Sequence, residues 1–467
     1  MHFRLRSVDS DRKLCGLISL DAIARLVPVA EVERLLDQFG VRERRTRKLS
    51  QTAVVFLLIA ITLHGHLAIE DVVKRLWRST SILWPTAPPL APGRSAFSYR
   101  REQIGVRPLA ALFRLVCRPL ATPRTKGAFA FGLRLVAIDG TKEEVPNTEA
   151  NERAFGRNAS QRGPAAFVQI LCIYLAECGT HAIFDAVLWA WNRSENEAAE
   201  RLLRSLTREM LVLVDRGIYS YNFVEAVRER GAHVLARISS CVKPEPIRTL
   251  SDGSVLSRIR PNKGRKGQPK RRSPGAHQLV RVISYTMTDP TQPGYAETYR
   301  VLTTLLDEKK APALEVARCY HERWEIELVI DEIDEHQRIS GRPLRSKTPV
   351  GVMQEMYALL IAHYTVRALM HEAAVQTRED PDRLSFVGAL RVVQDFIPHF
   401  QIASRRSVAW LYERMLEEIG RERLPERTGR AYPRVIRRKM SKWPLKREKH
   451  KTWPHPTLPL HQRLELI

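Results

Sequence analysis

Three apolar segments with strand character follow one another after Leu133, and helical segments then alternate with two further strands. The first three are LRLVAID, AAFVQILCIYLAEC and HAIFDAVLWAW, each bounded by turn residues. The chain continues with helix SENEAAERLLRSL, strand MLVLVD, helix YNFVEAVRERG and strand HVLARIS. This order predicts an α/β fold whose mixed sheet starts antiparallel, becomes parallel at the crossovers and carries helices on both faces.

A helical unit precedes these strands. Ser50 stands where it would cap a buried helix that runs to about His64, and a second helix follows from Ala68. The proline-rich PTAPPLAPG at 85–93 closes the pair. We expect a helical N-terminal domain over 1–125 that binds DNA, although simple helix packing explains the same pattern.

The chain is strongly basic, with 76 lysines and arginines against 51 acidic residues and a net charge of +25. This balance favours a polyanion as partner. Residues 257–273 contain eight basic side chains and no acidic one, which is typical either of a solvated loop or of an arm that follows a phosphate backbone. On the second interpretation the DNA contacts are Arg258, Arg260, Lys263, Arg265, Lys266, Lys270, Arg271 and Arg272. A second basic run, 421–452, has 13 basic residues against three glutamates.

Six cysteines are scattered along the chain without a CxxC pair, so neither a zinc site nor a disulfide framework is predicted. The longest apolar run, 53–63, is about half a membrane span, and the first residues lack the apolar core of a signal peptide. We therefore expect a cytoplasmic protein without a membrane partner.

Two aspartates follow buried strands. Asp139 ends LRLVAID before Gly140, and Asp215 ends MLVLVD before Arg216 and Gly217. Ligands and metals collect at the C-terminal edge of strands in an open α/β sheet. Each aspartate alone is also explained as a turn residue, but the pair indicates a site.

A charged segment with helical spacing, Cys319 to Arg338, supplies a third carboxylate. Read as one helix, it places Ile326, Val329, Ile330 and Ile333 within roughly 60° of one another as a core seam. The same arithmetic groups Tyr320, Arg323, Glu327 and Asp334 within roughly 60° on another face. Solvent exposure explains such a face too. If Asp139, Asp215 and Glu327 converge, however, their repulsion calls for divalent cations between them, and hard oxygen ligands suit Mg²⁺ or Mn²⁺.

Three sequence blocks resemble a known family. They are VAIDGT with NTEANERAFGR, LVLVDRGIYSYNF and YHERWEIELVIDEI, and together they resemble the DDE insertion-sequence transposases of the IS-four group. The last block matches that group's Tyr-x2-Arg-x3-Glu signature through Tyr320, Arg323 and Glu327. The resemblance covers roughly residues 40 to 440.

The resemblance implies a ribonuclease H-like core whose parts, over 126–240 and 306–375, flank a β-rich basic insertion at 241–305. A C-terminal helical region and basic tail would occupy 376–467. It also implies that Asp139, Asp215 and Glu327 are catalytic and hold the metals, and that Tyr320 and Arg323 contact phosphate.

The implied reaction is metal-dependent cleavage at the element's ends, followed by transfer of the freed 3′ hydroxyl into target DNA. The implied partners are double-stranded DNA, with terminal inverted repeats and target DNA, and a second copy of the chain in a synaptic complex.

One position departs from the family signature, because Asp334 stands where the signature has lysine. Its charge would weaken contact with a DNA backbone. Arg338, four residues further on, either pairs with Asp334 or reaches the phosphate itself.

Relatives that form a DNA hairpin use an insertion tryptophan, and none lies between Asp215 and Trp324. Tyr285, Tyr295 and Tyr299 are candidates for stacking but are also common sheet residues. Two other functions fit the same sequence: a catalytically impaired DNA-binding regulator, and a nuclease that cuts without joining.

Overall fold

The computed structural model describes residues 23, 25–43, 49–83, 93–160, 163–261, 277–286, 298–339, 341–403 and 405–425. Six of the predicted DNA contacts fall outside these residues, as do Tyr295 and most of the basic tail. They are Lys263, Arg265, Lys266, Lys270, Arg271 and Arg272.

The described secondary structure has helices at both ends of the chain and strands in its middle. The helices are α1 (Val29–Gln38), α2 (Gln51–Leu63), α3 (Ile69–Leu83), α4 (Arg94–Ile104), α5 (Arg107–Val116), α6 (Glu149–Phe155), α7 (Glu195–Leu202), α8 (Tyr221–Glu229), α9 (Ala313–His321), α10 (Glu325–Asp331), α11 (Pro349–Thr377), α12 (Phe386–Ile402) and α13 (Arg405–Arg421). The strands are β1 (Phe129–Ala130), β2 (Leu133–Val145), β3 (Ala159–Ser160), β4 (Gly163–Pro164), β5 (Val168–Glu177), β6 (Ile183–Ala190), β7 (Met210–Val214), β8 (His233–Arg237), β9 (Glu245–Thr249), β10 (Val255–Ile259), β11 (Gln278–Thr286) and β12 (Thr298–Thr303).

One mixed sheet organises the middle of the chain, in the order β6-β5-β2-β7-β8-β12-β11-β10-β9 with β1 beside β2. The first three long strands pair antiparallel, whereas β2, β7 and β8 run parallel and are connected through α7 and α8. This is the predicted ribonuclease H-like arrangement, an antiparallel start followed by parallel crossovers.

Alternate side chains of β2 enter different cores, because successive residues of a strand point to opposite faces. Val136 and Ile138 join the apolar cluster formed with α7 and α8. Leu135 and Ala137 join the larger cluster that includes α2, α10 and α11. Helices therefore cover both faces, as predicted, and every residue of β5 and β7 is buried.

Helix α2 packs into the interior instead of standing apart from the sheet domain. Ser50 caps it as predicted, accepting from the Ala53 N–H at 3.0 Å, and every residue of the helix is buried. The hydroxyl of Thr62 donates to the Ala358 carbonyl on α11 at 3.2 Å. Because α2 presents no exposed face, its role in the described structure is packing.

Strands β9 to β12, which lie within the predicted insertion, continue the main sheet through the pairing of β12 with β8. The guanidinium of Arg281 is fully buried and fixes this extension. It donates to Ser254 Oγ at 2.9 Å, to Asp252 at 3.0 Å and to the Ala311 carbonyl at 2.6 Å. The insertion is thereby tied to the segment that leads into α9.

The prediction of one continuous helix from Cys319 to Arg338 is wrong. Helix α9 ends at His321, a 3₁₀ turn spans Glu322–Trp324, α10 follows, and a π-helical segment spans Glu332–Gln337. Among the predicted seam residues, Ile326, Val329 and Ile333 are buried and Ile330 is partly buried against them. The seam holds, but the i to i+5 hydrogen bonds of a π segment change the helical phase beyond Asp331.

Within the part of the chain that the structure describes, no helix combines the length and the apolarity needed to cross a bilayer.

Candidate active site

Asp139 and Asp215 are neighbours in the sheet. The parallel pairing of β2 with β7 ends at Ile138 and Val214, so each aspartate is the next residue along the chain after a paired residue. Asp215 follows the end of β7, as predicted. Asp139 does not end its strand, because β2 continues to Val145 through antiparallel pairs with β5.

Backbone groups fix both aspartates. Asp139 Oδ1 accepts from the Gly140 N–H at 2.8 Å. Asp215 Oδ1 accepts from the Gly217 and Ile218 N–H groups at 2.9 and 3.0 Å, so one of its oxygens closes the turn. A Cβ at position 217 would lie 3.3 Å from both oxygens of Asp215, a tight contact that would press on the carboxylate.

Arg323 bridges the first aspartate to the glutamate. Its Nη1 donates to Asp139 Oδ2 at 3.2 Å, and its Nη2 donates to Glu327 Oε1 at 2.8 Å. The Arg323 side chain is 11% exposed, against 25% for Asp139 and 27% for Glu327. The cluster therefore lies at a half-buried edge that solvent and a large ligand can reach.

The three carboxylates lie within electrostatic reach of one another. Burial raises the pKa of Asp139 to about 6, and the charges of Asp215 and Glu327 add to the rise. The Gly140 N–H and the Arg323 guanidinium lower the same pKa. The structure thus brings together the three acids that the sequence singled out, and their oxygens are the donors that divalent cations such as Mg²⁺ prefer.

Tyr320 is buried next to this cluster and is only 6% exposed. Burial raises the pKa of Tyr320 to about 12, so the hydroxyl stays protonated at neutral pH. Little of its ring is open to a ligand.

Asp334 and Arg338 lie apart from the three carboxylates. Arg338 donates to the carboxylate of Glu143 and to the Arg342 carbonyl, the latter at 3.0 Å, and its Nη1 is 3.7 Å from Asp334 Oδ1. Its side chain is only 13% exposed. Burial and the adjacent Glu143 raise the pKa of Asp334 to about 9, so it is a neutral acid at pH 7. The expectation that Asp334 shares a face with Glu327 is wrong, because the π segment turns it toward β2.

The two basic residues of the arm that the structure describes are ion-paired on the insertion. Arg258 and Arg260 lie 3.7 and 2.8 Å from the carboxylate of Glu245, an exposed residue on the edge strand β9. Their side chains are 33% and 64% exposed, so both remain at the surface.

An aromatic cluster beside the site was not predicted as a unit. Tyr285 and Tyr299 are cross-strand partners whose rings stack at 5.4 Å, and the Tyr285 hydroxyl lies 3.2 Å from His321 Nε2. Arg237 sits 4.5 Å above the ring of Tyr299. Only the two tyrosines had a sequence signal; Arg237 and His321 reach them through long-range packing.

Comparison with known proteins gives this arrangement a family. A family model described as a transposase DDE domain matches residues 130–364, just over half of the chain. The chain belongs to the DDE transposase family. A second model, the insertion element 4 transposase N-terminal, matches residues 17–114 of the transposase.

Individual relatives agree with this assignment. The transposase is 29% identical to the transposase InsG for insertion sequence element IS4 of Escherichia coli K12, over 92% of this chain and 91% of that protein. It is 25% identical to the putative transposase InsZ of the same strain, over 54% of this chain and 83% of that protein.

Among solved structures, a piggyBac transposase synaptic complex with hairpin DNA aligns with a TM-score of 0.42 at 12% identity. The alignment covers 87% of this chain and 86% of that chain.

The predicted resemblance to insertion-sequence transposases is confirmed. The transposase is an enzyme of DNA transposition that cleaves DNA and transfers strands, and its family depends on divalent metal ions.

Proposed function

We propose that Asp139, Asp215 and Glu327 are the catalytic carboxylates of this transposase and that together they hold Mg²⁺, for which Mn²⁺ can substitute. The observation that carries the proposal is the bridge of Arg323 between Asp139 and Glu327, beside the strand pair that carries Asp215. Burial and the charges of Asp215 and Glu327 raise the pKa of Asp139. Three carboxylates this close require a positive partner, and one arginine neutralises only part of their charge.

The donor set fits hard divalent cations, because it offers only carboxylate oxygens at a half-buried edge. When bound, such ions activate the attacking oxygen and stabilise the leaving one in phosphoryl transfer. The sheet and the turn at Asp215 supply rigid support, and Arg323 places a guanidinium where a phosphate would lie. Tyr320 lies within electrostatic reach of Arg323, and its buried ring leaves little surface for a ligand, so its role is to position Arg323.

We propose that the substrate is double-stranded DNA. It comprises the terminal inverted repeats of the element and the target duplex. The net charge of +25 supports a polyanionic partner. Arg323 is the contact nearest the cut. The basic arm, which includes Arg258 and Arg260, and the predicted N-terminal domain contribute further contacts. We assign no direct DNA contact to Arg338, because its guanidinium donates to Glu143 and lies next to Asp334.

Two DNA ends must meet in one complex, so we propose a homodimer that assembles on them in the cytoplasm. Analytical ultracentrifugation of the transposase with end DNA measures this directly. A complex with a single chain on two ends would contradict it.

Substitution of each carboxylate tests the catalytic assignment. We expect Asp139→Asn, Asp215→Asn and Glu327→Gln to lower Mg²⁺-dependent cleavage of end DNA by more than about 100-fold, because each change removes a ligand. The Kd for end DNA should change by less than about threefold, since phosphate contacts elsewhere dominate binding. Asp331→Asn, at an exposed position on the same helix, is the matched control and should cleave normally.

Cleavage retained by Asp139→Asn or Asp215→Asn would overturn the assignment. Two further outcomes separate the alternatives. Wild-type protein that nicks but does not join a pre-cut end to a plasmid is a nuclease. Protein that binds ends in Mg²⁺ and does not nick them is a DNA-binding regulator.

A further inference from the structure

A second cluster of metal-ligating side chains lies on the far side of the helix that carries Glu327. His181 occupies the turn between β5 and β6 and has a left-handed backbone, with φ of 57°. Its Nε2 lies 3.4 Å from Asp382 Oδ1 and 3.9 Å from Glu325 Oε2. Donor atoms of the three residues all lie within 4.8 Å of one another.

Glu332 and Arg367 contact the Nδ1 side of the His181 imidazole, and its Nε2 side faces the carboxylates of Glu325 and Asp382. His181 Nδ1 lies 3.1 Å from Glu332 Oε1 and also contacts Arg367 Nη2. Glu332 in turn accepts from Arg367 Nε at 2.9 Å and lies 2.9 Å from His363 Nε2. In the tautomer in which Nδ1 donates to Glu332, Nε2 keeps its lone pair, and a carboxylate on the second nitrogen is the usual partner of a metal-binding histidine.

Two of the three inner atoms of this cluster have no hydrogen-bond partner within the described residues, whereas Glu325 Oε2 accepts from the Gly179 N–H. Neither His181 Nε2 nor Asp382 Oδ1 has a hydrogen-bond partner there, although both atoms are shielded from solvent. The His181 side chain is 4% exposed and that of Glu325 is 12% exposed. A lone pair and two carboxylate oxygens that face one another in a buried place require a cation or a proton between them.

Composition and spacing favour the cation. Arg367 donates to Glu332, and the cluster itself consists of two carboxylates and one imidazole, a donor set that suits a divalent ion. Zinc bonds of about 2.0–2.2 Å in a tetrahedron place ligand atoms about 3.3–3.6 Å apart. The distance from His181 to Asp382 has this value, and that from His181 to Glu325 exceeds it by less than an ångström.

We propose that His181, Glu325 and Asp382 form a structural zinc site, with water as a fourth ligand. A mixed nitrogen and oxygen donor set favours Zn²⁺ over Mg²⁺, which prefers oxygen alone. Glu325 is on α10 two residues before Glu327, His181 is in the turn between strands β5 and β6 of the core sheet, and Asp382 is in the 3₁₀ turn after α11. The ion would therefore link the helix that carries Glu327 to the core sheet and to the C-terminal helices, on the side of that helix away from the catalytic carboxylates.

Metal content of the full-length protein tests the site. Wild-type protein dialysed against buffered Zn²⁺ should retain one equivalent, by mass spectrometry, that Mg²⁺ does not displace. His181→Asn and Asp382→Asn should each weaken Zn²⁺ binding at least tenfold. Asparagine tolerates the left-handed backbone at position 181, so this variant removes the ligand with little strain. The side chain of Asp382 is 33% exposed, which makes its variant the milder of the two.

Two control variants separate this site from other binding. Asp139→Asn should keep the zinc equivalent, because it alters only the catalytic carboxylates. His336→Asn, at an exposed histidine near the same helix, should also keep it.

Thermal stability gives an independent measurement. Chelation should lower the Tm of wild-type protein, Zn²⁺ should restore it, and the His181 and Asp382 variants should not respond. Wild-type protein without retained zinc and with a Tm indifferent to chelator would show that the cluster holds a proton and overturn the proposal. Equal zinc retention by wild type and both variants would overturn it as well.

Discussion

At the scale of single residues, Asp334 shows how position in sequence and position in space can differ. The family signature has lysine there, and helical arithmetic places the residue beside Glu327. In the structure it instead faces Glu143 and Arg338, and burial with the neighbouring carboxylate raises its pKa to about 9. Because it is protonated at pH 7, its departure from the family pattern does not place a negative charge beside the DNA.

The raised pKa of Asp334 predicts a pH-dependent effect of Asp334→Asn. Below the pKa of the unfolded chain, about 3.9, both states are protonated and no linkage arises. Between that value and the folded pKa of about 9, the native state keeps a proton that the unfolded state releases, so the contribution to stability falls as pH rises. Asparagine mimics the protonated form without this loss. The Tm of the variant relative to wild type should therefore rise steadily from pH 5 to pH 8.5.

The limit of this effect is about 1.4 kcal/mol per pH unit. Glu149→Gln, at a position on α6 whose side chain is 87% exposed, is the control and should show a flat difference. A difference between Asp334→Asn and wild type that stays constant over the same pH range would mean that Asp334 is ionised in the folded protein.

At the scale of elements, the segment from Glu322 to Gln337 is held by a buried ionic network. Glu332, on its π-helical part, contacts Arg367, His363 and His181. Burial raises the pKa of Glu332, but the Arg367 charge and the histidine contacts outweigh it and hold the pKa well below its usual range. The carboxylate is therefore ionised, and it docks the catalytic segment on α11.

Removal of one member of this network should be costly. Glu332→Gln leaves the Arg367 guanidinium buried without its counter-charge, and we expect a loss of about 3–5 kcal/mol in the free energy of unfolding. Urea denaturation of wild type and variant measures the difference.

A double variant supplies the internal comparison. The double variant Glu332→Met with Arg367→Met removes both charges. It should recover much of the lost free energy of unfolding, because the cost of burying two charges is removed as well. If the double variant is as unstable as Glu332→Gln, the cost comes from packing and not from the orphaned charge.

The same elements show what could be predicted from sequence. Two local patterns predicted their structures correctly. They are the apolar run that precedes Asp215, which forms a strand, and the apolar seam of Ile326, Val329 and Ile333, which is buried. The continuation of β2 beyond Asp139 depends on pairing with β5, and the π segment depends on contacts with α11. The proposed zinc site was not predicted because its residues, His181, Glu325 and Asp382, are far apart in the chain and match no local motif. Patterns of a few residues carry no information about such long-range contacts.

At the scale of the whole molecule, one apolar core joins the N-terminal helices to the catalytic sheet and the C-terminal helices. Leu57 on α2, Ala137 on β2, Leu360 on α11 and Met415 on α13 belong to the same buried cluster. The sequence indicated that α2 is buried, since it is apolar on all sides, but its partner α11 lies about 300 residues further on. The N-terminal helices and the sheet therefore depend on one another for burial.

This shared core predicts that α2 and α11 unfold together. Separation of α2 from α11 would expose a helix whose every residue is buried, and the loss of so much apolar contact makes local opening as unfavourable as global unfolding. Native-state hydrogen exchange should give the slowest amides of both helices the same free energy of opening and the same denaturant dependence. Amides of the exposed edge strand β9 provide the contrast and should exchange through smaller openings. An opening of α2 at markedly lower free energy than α11 would show that the N-terminal helices form a separate folding unit, despite the contacts that join them.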